Sequence, residues 1–157
     1  MLHILTGLTT REAIVDAMSR ALSGVDRNDS DLFVSAWAGE EVSFEINGDG
    51  EQKLLPNLSV IRKHILGHIG PMDTTHNVSN IRIEVEDGAS IARLTATSLA
   101  QHCPAGKGKD VDAPKYLVAG EYSGEVIQDV ADGVWKLKRL ALNVIWKQGD
   151  ESVINPA

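Results

Sequence analysis

Four long alternating segments fill the second half of this chain, and they constrain its fold more than any other feature. Residues 78–85, 91–102, 116–127 and 134–146 each read as a strand. Within 91–102, Ala92, Leu94, Ala96, Ser98, Ala100 and His102 share one face, while Arg93, Thr95, Thr97 and Gln101 share the other. Glu86-Asp87-Gly88 and Asp132-Gly133 are turn signals, and 104–114 is a Gly- and Lys-rich loop without periodicity. Strands joined in this way form an antiparallel meander. Strands of this length twist, and the sheet therefore curves.

The first half is mostly helical. Thr9 and Glu12 are spaced as a capping box, and Ile14, Met18, Ala21 and Leu22 recur on a face opposite Arg11, Asp16 and Arg20. Ser23-Gly24 is expected to end that helix. Asn28 or Asp29 caps a short second helix through Leu32, Phe33, Ala36 and Trp37. Residues 42–46 alternate as a strand, and Asn47-Gly48-Asp49-Gly50 predicts a hairpin. Pro56-Asn57 opens a third helix with Leu58, Ile61, Ile65 and Leu66 on one side, broken over 67–71, and the tail from 147 to 157 reads as frayed. The order predicts one α+β domain spanning 1–157, with a core over about 9–146. It is a cone-shaped, curved antiparallel sheet with the N-terminal helices across its concave face. Such a hollow suits a small molecule.

Charge narrows the partners. A net charge of −7 without a basic stripe argues against nucleic acid and against anionic membrane surfaces. The N-terminal run is too short and broken for a signal peptide, and no stretch approaches a membrane span. The single cysteine, Cys103, fits a reducing compartment, so a cytoplasmic location is expected. The sequons at Asn28, Asn57 and Asn77 are read as chance.

The residues that could carry chemistry are few. His76 stands before the 78–85 strand and His102 closes the 91–102 strand, on its inward face; Asp26 follows the first helix. Two imidazoles and a carboxylate in one apolar cavity would make a general acid/base site. The plainer readings are a buried, satisfied histidine, a loop histidine and a turn aspartate. The small inward residues Ser98 and Ala100 suggest room left for a ligand. Tyr122, flanked on its face by Gly120 and Gly124, could reach that ligand or pack on a helix. His64 and His68 have metal-pair spacing but sit where the third helix frays, so a solvated helix end is favoured. Cys103 reads as a plain thiol. Lys107 and Lys109 lie in a flexible loop that lacks the phosphate-loop pattern.

The element order resembles the SnoaL-like group of the nuclear-transport-factor-2-like superfamily, and within it the scytalone dehydratase relatives. Five segments carry the likeness: Asp26-Arg27-Asn28-Asp29, Thr75-His76-Asn77-Val78, Ala100-Gln101-His102, Asp132-Gly133-Val134-Trp135-Lys136 and Val144-Ile145-Trp146. The resemblance implies a cone-like α+β barrel and a dehydratase using no metal and no organic cofactor. It puts Asp26 against His102, with His76 working across the cavity. It also implies a small, apolar, cyclic polyketide- or terpenoid-like carbonyl substrate and a homo-oligomer, a dimer or trimer. Isomerisation or cyclisation in the same cavity, or ligand binding without turnover, are the alternatives. The chain departs from the pattern at Val25 and Glu45, where the dehydratases carry tyrosines that serve the substrate carbonyl. Tyr122 falls near a ligand-contacting serine of the family and could supply a substitute hydroxyl; Glu45 could be a new acid/base group or a surface residue.

Overall fold

Helix α1 (Thr10–Asp26) begins where its sequence dictates. The Thr9 hydroxyl accepts from the Glu12 N–H, and the Glu12 carboxylate reaches back to the Thr9 N–H at 2.7 Å. In this computed structural model, which describes residues 3–156, the helix runs two residues past the expected stop at Ser23-Gly24. Gly24 is a packing residue there: a β-carbon on it would lie 2.7 Å from the backbone of Phe33. Its bareness lets α2 (Ser30–Ser35), capped by Asp29, press directly onto α1.

Arg20, expected on the outer face of α1, is buried at 3% exposure. Its guanidinium bonds Asp16, the Ser35 carbonyl and, at 2.6 Å, the Trp135 carbonyl. One planar cation thus satisfies orphan oxygens on three elements, which helical periodicity alone cannot reveal.

The sheet has six strands, β1 (Ser43–Gly48), β2 (Glu51–Leu55), β3 (Asp73–Glu84), β4 (Ile91–Cys103), β5 (Tyr116–Gln128) and β6 (Trp135–Gly149), in the order β2-β1-β6-β5-β4-β3. The meander is as expected. The early hairpin adds to its end through a parallel β1–β6 pairing, so the curved sheet is not purely antiparallel. Asp49 and Gly50, both at positive φ, form the two-residue hairpin turn. Strand β4 alternates strictly, with Ala92, Leu94, Ala96, Ser98, Ala100 and His102 all buried. The core between sheet and helices includes Ile14, Ala17 and Met18 of α1, Phe33 and Trp37, and Leu94, Val126 and Leu137 of the sheet. Burying each large apolar side chain contributes roughly 1.5–3 kcal/mol.

Three boundaries depart from expectation. Strand β3 starts at Asp73, five residues early, so His76 lies within the strand. The third helix, α3 (Leu58–Ile61), does not break at Gly67. It continues as a π-helix (Arg62–Leu66), whose extra residue per turn is absorbed by the Gly67 N–H to Arg62 carbonyl bond, and ends with the turn Gly67–Ile69. The described part of the tail, residues 147–156, is ordered rather than frayed. Asp150 caps the 3₁₀ turn Glu151–Val153, Val153 is buried, and the Ile154 carbonyl lies 2.6 Å from the His68 ring.

Candidate active site

The hollow between sheet and helices is a cavity of about 390 Å³. Its deep wall is apolar, with Val25, Phe33, Trp37, Phe44 and Leu140 among its residues. Its outer end is charged, with Lys53, Lys147 and Glu151 beside His64 and His68. His76, Ser98, Ala100, His102 and Tyr122 also line it. Both imidazoles therefore face inward, as the strand patterns require.

Strand register decides how these groups meet. His76 on β3 is paired with Ala100, and Thr74 with His102. Thr74 and His76 are two apart, so they share a face of β3, directly under the C-terminal end of α1. Asp26, the last residue of α1, takes hydrogen bonds from both: from the Thr74 hydroxyl at 2.7 Å, the His76 N–H at 2.9 Å and the His76 Nδ1 at 2.6 Å. The expected Asp26–His102 pairing is thereby corrected. Strand β3 lies between α1 and β4, so the carboxylate meets the histidine of the edge strand first. Burial pushes the Asp26 carboxyl up, but the three bonds from His76 and Thr74 outweigh it and hold it below the usual aspartate value. An ionised carboxylate only accepts, so Nδ1 of His76 carries the proton and Nε2 of the neutral ring is the free base.

His102 is the second imidazole. Its ring is perpendicular to that of His76, with centroids 5.5 Å apart, so the two are neighbours on one wall rather than partners across the cavity. Its Nδ1 donates to the Tyr116 carbonyl at 3.2 Å, which again leaves Nε2 unprotonated in the neutral ring. Burial lowers its pKa, and the adjacent His76 lowers it further. Two cations side by side in a low dielectric are costly, so the pair holds at most one positive charge easily.

The remaining expectations divide. Val25 lines the cavity, as expected. Glu45 does not: Phe44 and Ile46 on either side of it face the hollow, and strand alternation turns Glu45 outward, where it accepts from Asn47 at 2.7 Å. Its acid/base role is withdrawn for that reason. His64 and His68 are exposed as expected, yet both stand at the cavity mouth. Cys103 is buried. Thr74 and the Tyr116 carbonyl were not foreseen; the two-residue spacing of Thr74 and His76 is the signal that could have found the first. Among the described residues no cluster of three or more His, Cys, Asp or Glu could hold a metal, and no helix is long and apolar enough to cross a membrane.

Comparison with known proteins places the chain in a family and a fold. Residues 6–141 match the SnoaL-like domain family, and the chain belongs to it. The terrestric acid biosynthesis cluster protein E of Penicillium crustosum is 32% identical over 146 residues, covering 93% of this chain and 90% of that protein. Among solved structures, a scytalone dehydratase candidate from Novosphingobium aromaticivorans superposes with a TM-score of 0.71 at 22% identity, covering 88% of this chain and 85% of the other. The hexachlorocyclohexane dehydrochlorinase LinA-type3 of Novosphingobium barchaimii gives 0.68 at 21% identity, covering 92% of both. At these identities the two structures bear on the fold alone.

Proposed function

We propose that this SnoaL-like chain is a cofactor-independent acid/base lyase that removes water from a small cyclic, polyketide- or terpenoid-like carbonyl compound of secondary metabolism. The observation that carries the reading is the Asp26–His76 pair, 2.6 Å apart, at an apolar cavity that holds a second imidazole, its ring centre 5.5 Å from the first. The cluster protein of Penicillium crustosum supports the metabolic setting by its likeness.

The chemistry follows from the proton positions. Neutral His76 accepts a proton from the carbon α to the carbonyl through Nε2, and the C–H electron pair moves into the carbonyl to give an enolate. Asp26 stabilises the imidazolium that results, as an orienting carboxylate does in other acid/base sites. The enolate collapses and expels the hydroxyl, which takes the proton from His76 and leaves as water. Both imidazoles end neutral. His102 stays neutral throughout and accepts a hydrogen bond from the departing hydroxyl through Nε2. Because both rings project from adjacent strands of one wall, proton and hydroxyl leave from the same face of the substrate. Isomerisation is the second reading, since one buried imidazole on a carboxylate suffices to carry a proton between two carbons.

The test is a screen of cyclic hydroxy ketones with product mass as readout. A product lighter by one water, formed by the wild type and not by His76→Ala, supports the lyase. A product of unchanged mass supports the isomerase, and no product from any substrate leaves ligand binding as the function.

A further inference from the structure

The cavity reaches well past the imidazoles, into a stretch that the proton transfer above does not use. Strand register measures it. Phe44 on β1 is level with Leu140 on β6, Gly124 on β5 and Leu94 on β4. His76 is level with Ala100, six residues further along β4, or about 20 Å. The two imidazoles therefore stand toward one end of the cavity wall, and Phe33, Trp37, Phe44 and Leu140 line an inner arm at the other.

That inner arm is apolar with one exception. Trp37 is 3% exposed, and its indole Nε1 is a buried side-chain atom without a hydrogen-bond partner among the described residues. The rings of Phe33 and Phe44, centred 6.0 and 6.4 Å from the indole, offer no acceptor. The adjoining backbone is already committed: the carbonyls of Ala36, Trp37 and Leu137 accept from Leu137, Gly39 and Ala38 in turn. A buried donor without a partner is uncommon in folded proteins. One set in the wall of a ligand cavity is explained by an acceptor that arrives with the ligand.

We propose that the inner arm holds an apolar side chain of the substrate, and that the Trp37 N–H bonds a ketone or ether oxygen carried on that chain. This rests on the cavity being a small-molecule site and deepens the elimination reading: the reacting ring sits at the imidazoles and its substituent runs inward to Trp37. The nitrogen is covered in this structure, so the oxygen reaches it as the neighbouring side chains yield, a movement of the kind that binding commonly brings. A bare ring would leave the N–H unpaired. An oxygen placed elsewhere against Phe33, Phe44 and Leu140 would be buried without a donor, which is unfavourable. The pairing thus selects the position of the oxygen as well as its presence.

The test is one of binding and needs no turnover. 4-Alkylphenols stand in for a ring with a side chain, and isothermal titration calorimetry gives their Kd. From propyl to octyl, affinity should rise about fourfold per added methylene until the arm is full. Analogues with one chain methylene replaced by a ketone, at each position in turn, should lose affinity where the oxygen finds no donor. At the position that meets Trp37 the loss should be recovered, leaving that analogue about tenfold tighter than the other ketones. Trp37→Phe should abolish this advantage and keep the gain per methylene. A second readout uses wild-type protein, so it stands even where that variant does not fold: the Trp37 indole N–H resonance should move downfield with the matched ketone and not with the plain alkylphenol. Affinity independent of chain length overturns the proposal. So does a ketone series in which no position stands out, a preferred position that survives Trp37→Phe, or an indole resonance that ignores the ketone. Phenols have no hydroxyl to eliminate, so this assay can fail while the product-mass screen supports the lyase, and the reverse.

Discussion

Asp26→Asn is the substitution whose consequences the geometry fixes most tightly. The carboxylate accepts three hydrogen bonds, two on Oδ1 and one on Oδ2. An amide has one acceptor oxygen and one NH₂, so either orientation fails somewhere. With the oxygen toward Thr74 and the His76 ring, the NH₂ faces the His76 backbone N–H, donor against donor. With the NH₂ toward the ring, Nδ1 must become the acceptor, the proton moves to Nε2, and the base is lost. Leaving one donor unpaired costs about 1–3 kcal/mol of stability, which a folded domain can absorb. The catalytic cost is separate, because neither orientation stabilises an imidazolium. General acid/base groups contribute about 10²–10⁴-fold, or about 3–5 kcal/mol. The assay is kcat for the conversion of a cyclic 3-hydroxy ketone to its conjugated enone, followed by absorbance, with circular dichroism to confirm folding. A fall of that size is expected, and Asp26→Asn combined with His76→Ala should lose no more than His76→Ala alone, since the pair acts as a unit. A folded Asn variant that keeps kcat within about threefold of wild type would refute the reasoning.

The other predictions concern stability and the limits of the site. His102 has its folded pKa lowered from 6.5, so the unfolded chain binds a proton that the folded one refuses; stability should fall as pH drops below about 6.5, and His102→Gln should flatten that slope in urea melts at stepped pH. The lowered pKa of Asp26 acts further down: its contribution is present above the unfolded value and is lost as pH falls through the folded one. Arg20→Met should cost about 2–4 kcal/mol in denaturant unfolding, because the Ser35 and Trp135 carbonyls lose their donor. Glu45→Ala should leave kcat within about twofold, since the side chain faces away from the cavity.

The parts of this fold that were legible in the sequence are those governed by local periodicity. The inward face of β4 from Ala92 to His102, the capping box at Thr9 and the turn at Asp49-Gly50 all follow from residues a few positions apart. What stayed hidden depends on distant register. Strand β3 begins with Asp73-Thr74-Thr75, polar residues that read as loop, and only pairing with Cys103, His102 and Gln101 makes them strand. That early start is what places His76 under Asp26 and transfers the carboxylate from His102 to it. The parallel β1–β6 pairing and the buried Arg20 are tertiary in the same sense, each set by an element about 90 or more residues away. The tail reads as frayed because its anchors, His68 and Asp49, lie outside it.

The most direct test of the central claim, a single carboxylate-held imidazole working on one face of the substrate, is the stereochemistry of proton loss. A cyclic 3-hydroxy ketone would be deuterated at the α-carbon on one face at a time, and the enone product weighed by mass spectrometry after a single turnover. Deuterium cis to the hydroxyl should be lost with it, and deuterium trans to the hydroxyl should remain in the product. Retention of the cis label with loss of the trans label would place base and leaving group on opposite faces, which His76 and His102 on one wall cannot serve.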